Sequence, residues 1–151
     1  MAYWLFKSEP STWSFQKLTE CGAKGTDWSG VRNHSAKLNM QAMKVGELGF
    51  FYHSNEGKAI VGVVEVSRAY RPDPTDPTGR FGMVDIRAVR PLPRPVTLEA
   101  VKAENRLASM ALVTNSRLSV QPVTAAEWAV VCEMGGLDAA QVRPSQASRM
   151  S

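Results

Sequence analysis

Cysteine and histidine are scarce: the 151 residues hold two cysteines, Cys21 and Cys132, and two histidines, His34 and His53. Neither pair stands at CxxC, HxxxH or HExxH spacing, so no metal site is expected. Long hydrophobic runs are missing too, since none approaches the roughly 20 residues of a membrane helix. The opening MAYWLFKSEP carries a glutamate and a proline where a secretory signal needs a longer apolar core, which makes a cytoplasmic protein the expectation. There is no repeat, low-complexity tract, phosphate-cradling glycine loop, Ser-His-Asp order or evident carboxylate pair. The residues therefore offer no catalytic set, and no cofactor is expected.

What is there suits one folded domain. Hydrophobic residues make up 44% and charged residues 21%, far from the composition of disordered chains. A chain of this length buries about two thirds of its unfolded surface. The net charge of +4 is spread along the sequence. Such a mild excess is compatible with phosphate contacts and is also common where there are none.

Tyr3 to Lys7 reads as a strand, followed by Pro10 and a short helix capped by Ser11 or Thr12 and running through Cys21. A second helix is expected from Asn33 to Val45, with Leu38, Ala42 and Val45 on one face and Gly46 beyond its end. LGFFYHS, a turn at Asn55 and Gly57, and AIVGVVEVSRAY read as a hairpin. Three prolines make 71–79 a loop, and GMVDIRAVRPL resumes as a strand with Val84, Ile86 and Ala88 on one side. Thr97 caps a helix through Glu104, 117–123 is extended, and Thr124 with Glu127 forms a capping box for a last helix ending near Gly135. Residues 1–137 form the domain and 138–151 a disordered tail in this reading. About five strands without βαβ alternation give an α+β fold around a mixed or closed sheet.

Four constellations could carry chemistry. Lys7-Ser8-Glu9-Pro10 places polar groups where an apolar strand ends, and the plain alternative is local backbone capping. Asp27-Trp28-Ser29-Gly30-Val31-Arg32-Asn33 puts an indole on a glycine-containing loop beside polar side chains. There Trp28 either tucks into the core or stacks on a flat heterocycle whose edge Ser29 or Asn33 reads. In Phe50-Phe51-Tyr52-His53-Ser54, period-two alternation sends Phe51 and His53 to one face and Phe50 and Tyr52 to the other. His53 and Ser54 at the strand's end either line a pocket or hold the hairpin. Arg117-Leu118-Ser119-Val120-Gln121-Pro122-Val123 is extended, with Leu118 placed to cover a ligand.

Taken together, YWLFKSEP at 3–10, DWSGVRNHSAKLNMQAMKVGELGFFYHS at 27–54, IVGVVEV at 60–66 and SRLSVQPVT at 116–124 resemble the EVE domain family. The resemblance covers residues 3 to about 137 and implies a PUA-like fold, a small mixed β-barrel with peripheral helices, related to YTH and ASCH domains. It implies non-catalytic binding of a modified base in DNA or RNA. By likeness to YTH readers, Trp28 would wall the pocket, and Ser8 and Ser29 would bond the base edge. Glu9 stands where those readers tend to carry an asparagine, so the preferred edge should differ. No aromatic lies between Phe81 and Trp128, so Leu118 or Met110 would supply a softer second wall.

The expected ligand set is thus Ser8, Glu9, Trp28, Ser29, Asn33, Tyr52, His53, Ser54, Leu118 and Ser119, with Lys7, Arg32 and Arg117 at phosphates. The expected partner is nucleic acid carrying a modified base, bound by a monomer. Two alternatives stand beside it: a small amidohydrolase of modified nucleobases that uses Lys7 and Glu9 as a proton-transfer pair, as ASCH relatives suggest, and an interaction module holding a small metabolite.

Overall fold

Alternating side chains in the first strand divide the interior in two. A computed structural model describes residues 2–54, 57–115, 117–139 and 142. In β1 (Tyr3–Ser8), Leu5 enters one hydrophobic cluster, while Trp4 and Phe6 enter another on the opposite face. After α1 (Phe15–Glu20), a 3-10 turn, β2 (Thr26–Asp27) and α2 (His34–Ala42), the chain returns as β3 (Leu48–His53). β3 pairs parallel to β1, which requires such a crossover, and splits its own aromatics: Phe50 and Tyr52 to the first cluster, Phe51 to the second.

β4 (Ala59–Pro72) and β5 (Gly82–Thr97) then form a long antiparallel ladder. α3 (Leu98–Ala103), a second 3-10 turn and α4 (Ala111–Thr114) lead to β6 (Val120–Val123), and α5 (Ala125–Met134) follows. The sheet order is β2-β5-β4-β3-β1-β6. The α+β class and mixed sheet are as expected, with six strands rather than about five. A barrel is not what forms among the described residues. The end strands β2 and β6 hold only two and four residues and pair with β5 and β1, not with each other. Register shifts interrupt the β4–β5 ladder, and no β2–β6 pairing closes the sheet among the described residues.

In the first cluster, Trp128 from α5 stacks on Phe50 at 4.0 Å and on Tyr3 at 4.4 Å. The capping box of Thr124 and Glu127 is present and fixes that helix's start. Leu137 and Val142 are buried in the same cluster, while 140–141 and 143–151 of the expected tail lie outside the described residues, as does Asn55 of the expected turn. The second cluster gathers Phe6, Phe15, Leu18, Met40, Phe51, Val64 and Ile86, with Trp13 and Trp28 at its margin.

Two helices differ from expectation. α1 is capped by Ser14, because the Glu9 carbonyl accepts the N–H groups of Thr12 and Trp13 and holds 9–13 in a turn. α2 ends at Ala42, and its expected face is turned outward, Leu38 being 52% and Val45 57% exposed. Ala36, Met40 and Met43 are buried instead. Both stripes have helical spacing, so periodicity could not choose between them. The sheet edge does: Asn39 Nδ2 donates to the Val120 carbonyl at 2.8 Å, and small Ala36 allows the close approach.

Candidate functional site

Where β1 ends and β2 leaves the sheet, Ser8, Thr12, Trp13, Thr26, Asp27, Trp28 and Ser29 line a cleft of about 330 Å³. Each indole is set by its own framework. The Ser8 hydroxyl donates to the Trp13 carbonyl at 2.6 Å, fixing the turn that carries Trp13. Two residues on, the Phe15 N–H donates to His53 Nε2 at 3.1 Å, and the Phe15 ring lies over Gly62. A Cβ at Gly62 would come within 2.3 Å of that ring, so only glycine lets α1 seat there.

Trp28 is anchored by its N–H to the Val84 carbonyl at 2.7 Å, and its ring meets Phe6 and Phe51 edge-on at 5.6 and 5.8 Å. The loop beyond it is clamped by a buried carboxylate. Asp73 accepts from the Gly30 N–H at 2.7 Å, from the N–H and hydroxyl of Thr75, and from Arg32 Nη1 at 3.2 Å. Burial opposes ionisation of Asp73, but these hydrogen bonds outweigh it and bring its pKa down to about 2. Asp76 does the same for the neighbouring turn: the Thr78 hydroxyl, then the N–H groups of Thr78 and Phe81, hold its pKa at about 2.

Of the residues expected to bind a ligand, Ser8, Trp28 and Ser29 line the cleft. The others stand elsewhere. Asn33 caps α2 through the Ala36 N–H. Tyr52 is buried in the first cluster, and Lys7 Nζ lies over its ring at 5.7 Å; burial lowers the Lys7 pKa and raises that of Tyr52. Met110 is buried in that cluster as well. Glu9 and Arg117 are exposed, and Leu118 is buried in the second cluster. Ser54 donates its N–H to the Ser8 carbonyl, and the Ser119 carbonyl accepts from the Lys7 N–H. Arg32 is tied to Asp73 and Thr75, its side chain still 40% exposed.

His53 is a positioning residue. Its Nε2 must be unprotonated to accept from Phe15, and burial lowers its pKa below the ordinary 6.5. As pH falls below about 6.5 the unfolded chain takes up the proton before the folded one does, so stability present at neutral pH is lost down through the folded value. Melting curves from pH 7.5 to 5 should show this fall, and His53→Gln, whose amide oxygen can still accept, should flatten it.

Trp13 lines the cleft together with Trp28, and it stands outside the span between Phe81 and Trp128. Its place in the sequence next to Lys7–Pro10 was the available signal. Asp27 and Thr26 belong to the lining as well. Among the described residues, no lysine or arginine lines the cleft. Its volume lies near the low end of the range of about 300–1,000 Å³ for ligand sites. Among the described residues there is no cluster of three or more potential metal ligands, and no helix is long and apolar enough to cross a membrane.

An open mixed sheet of six strands with helices in its connections defines a PUA-like class of protein. The chain belongs to the EVE domain family, whose model matches residues 2–134. It is 32% identical to human thymocyte nuclear protein 1, over 88% of this chain and 73% of that protein. A solved Agrobacterium tumefaciens protein shares 51% identity with a TM-score of 0.90, covering 96% of this chain and 99% of that one. Human THYN1, solved in complex with DNA containing 5-methylcytosine, shares 32% identity with a TM-score of 0.85, covering 89% of this chain and 98% of that one. The YTH domain of Zygosaccharomyces rouxii MRB1, solved with N6-methyladenosine RNA, is 18% identical at a TM-score of 0.56, with 97% of this chain and 90% of that one covered, and shares the fold.

Proposed function

We propose that the protein binds a modified nucleobase of DNA or RNA without transforming it, and that the base enters the cleft lined by Trp13 and Trp28. The observation that carries this reading is two tryptophans lining one cleft, with no lysine or arginine among its described lining residues. The THYN1 complex with methylated DNA supports it, since that relative aligns over most of both chains. Exposed Arg117 and the exposed part of Arg32 meet phosphates outside the cleft, and a single copy of the chain suffices. The hydrolase reading draws no support from the geometry, because Lys7 lies over Tyr52 rather than in the cleft.

Extruding a base costs a few kcal/mol, which stacking at about 1–3 kcal/mol per base and edge hydrogen bonds offset. Affinity is therefore modest and falls with salt. Titrating single-stranded oligonucleotides with modified or unmodified central bases tests the proposal. Trp28→Ala and Trp13→Ala should each weaken binding of the modified strand about ten- to hundredfold, with melting curves confirming a folded variant. Equal affinities for wild type and both variants, on every strand, would sink it.

A further inference from the structure

Resting on the reading of the cleft as a base pocket, we propose that Arg32 and Lys37, gathered over the ring of Phe81, hold the nucleic-acid backbone at a phosphate near the read base. The two cations converge on one partly exposed ring: Arg32 Cζ lies 5.9 Å and Lys37 Nζ 5.8 Å from its centre. Like charges repel, and a cation over an exposed ring gains little in water. Two cations brought to one ring therefore suit an anion from outside the chain.

Both cations keep donors to spare. A guanidinium has five N–H groups. Arg32 Nη1 gives to Asp73 and to the Val31 carbonyl, and Nη2 gives to Thr75, which leaves two among the described residues. The Lys37 ammonium makes no hydrogen bond or ion pair among the described residues. Asp73 and Asp76 supply negative charge only from beneath, because both are buried and their oxygens accept from threonines and backbone N–H groups. Asp73 thus fixes the Arg32 head on its inner side and leaves its outer side to solvent, the side chain being 40% exposed.

The pair is placed for the nucleotides beside the cleft. The Trp28 ring and Ala36, the residue before Lys37, pack into the same second cluster, so α2 and the indole stand on one face of the sheet. Arg32 follows Trp28 by four residues, at most about 14 Å of chain, and the Gly30 bond to Asp73 ties that stretch down. A phosphate recurs about every 3.4 Å along one strand of a duplex, so one within a few nucleotides of the read base comes to Arg32 and Lys37. Such contacts position a strand and carry no base information.

The test measures binding of the full chain to single-stranded oligonucleotides, with a modified or unmodified central base, at several salt concentrations. Lys37→Gln should weaken both strands by the same factor, about three- to tenfold at low salt, and make the slope of log affinity against log salt shallower by about 0.7, the share of one single-strand phosphate. Lys102→Gln removes an equal charge from a helix packed into the first cluster and should leave the slope near that of wild type. Uncharged methylphosphonates in place of the phosphates on both sides of the central base should weaken wild type but have little further effect on Lys37→Gln. Phe81→Leu should reproduce part of the slope change, whereas Phe81→Tyr, which keeps the ring, should bind within about twofold of wild type. Melting curves confirm that each variant is folded. A slope in Lys37→Gln equal to that of Lys102→Gln, full methylphosphonate sensitivity in Lys37→Gln, or a wild-type slope in Phe81→Leu overturns the proposal. If Trp28→Ala then still weakens binding of the modified strand, the pocket stands and only the backbone site falls; if Trp28→Ala leaves every affinity unchanged, the pocket reading falls with it.

Discussion

Asp73→Ala should lower the melting temperature by about 6–12 °C and weaken nucleic-acid binding in the same variant. The side chain is fully buried and takes hydrogen bonds from Gly30, Thr75 and Arg32. Its removal leaves the Gly30 N–H, the Thr75 groups and the Arg32 guanidinium without their acceptor. Breaking a buried pair in this way costs about 3–5 kcal/mol, and the half-open Arg32 side puts the cost at the lower end. For a chain of this size each kcal/mol moves the melting point by about 2–4 °C. Binding should fall because Gly30 lies two residues beyond Trp28, and the loop loses the clamp on its far side. Acid stability offers a second readout. With a folded pKa of about 2 against an ordinary 3.8, the Asp73 contribution is present above about pH 3.8 and is lost as pH falls towards 2. Asp73→Asn should shrink that acid loss without abolishing it, because Asp76 titrates in the same window. An unchanged melting point in Asp73→Ala would refute the clamp.

Trp128→Ala should destabilise the chain by about 3–5 kcal/mol, enough to consume much of the 5–15 kcal/mol typical of a folded domain. Trp128 is 2% exposed and stacked on both Phe50 and Tyr3, so the cavity would open at the centre of the first cluster. Trp128→Phe should recover most of the loss. It should also leave nucleic-acid binding within about twofold of wild type, since the cleft belongs to the second cluster, on the other face of the sheet. Thermal melts and oligonucleotide titrations of the same two variants check both statements, and a large binding defect in a well-folded Trp128→Phe would contradict the separation of the faces.

Much of the local structure was legible beforehand. The alternation that sends Phe50 and Tyr52 one way and Phe51 and His53 the other is a property of any strand, and the Thr124–Glu127 box is a property of any helix start. The loop that carries Trp28 stood out because an indole there answers to no helix or strand period. Other roles depend on contacts made in the fold. Asn33 caps a helix, Tyr52 sits in a hydrophobic cluster, and a buried aspartate holds Arg32, whose side chain stays partly exposed. His53 and Ser8 hold the segment of Trp13 through their hydrogen bonds, and Ser8 lines the cleft as well.

The order of strands and helices along the chain, the alternation of the strands, the caps and the membership of the EVE family were all written in residue types and short spacings. Only the tertiary structure decided which stripe of α2 turns inward, that the sheet stays open, and that Trp13 and Trp28 share one cleft. The reason is physical: local pattern depends on steric and hydrogen-bonding preferences within a few residues. The cleft instead depends on contacts between residues far apart in sequence, such as His53 with Phe15 and Asp73 with Gly30, which exist only once the sheet has brought their loops together.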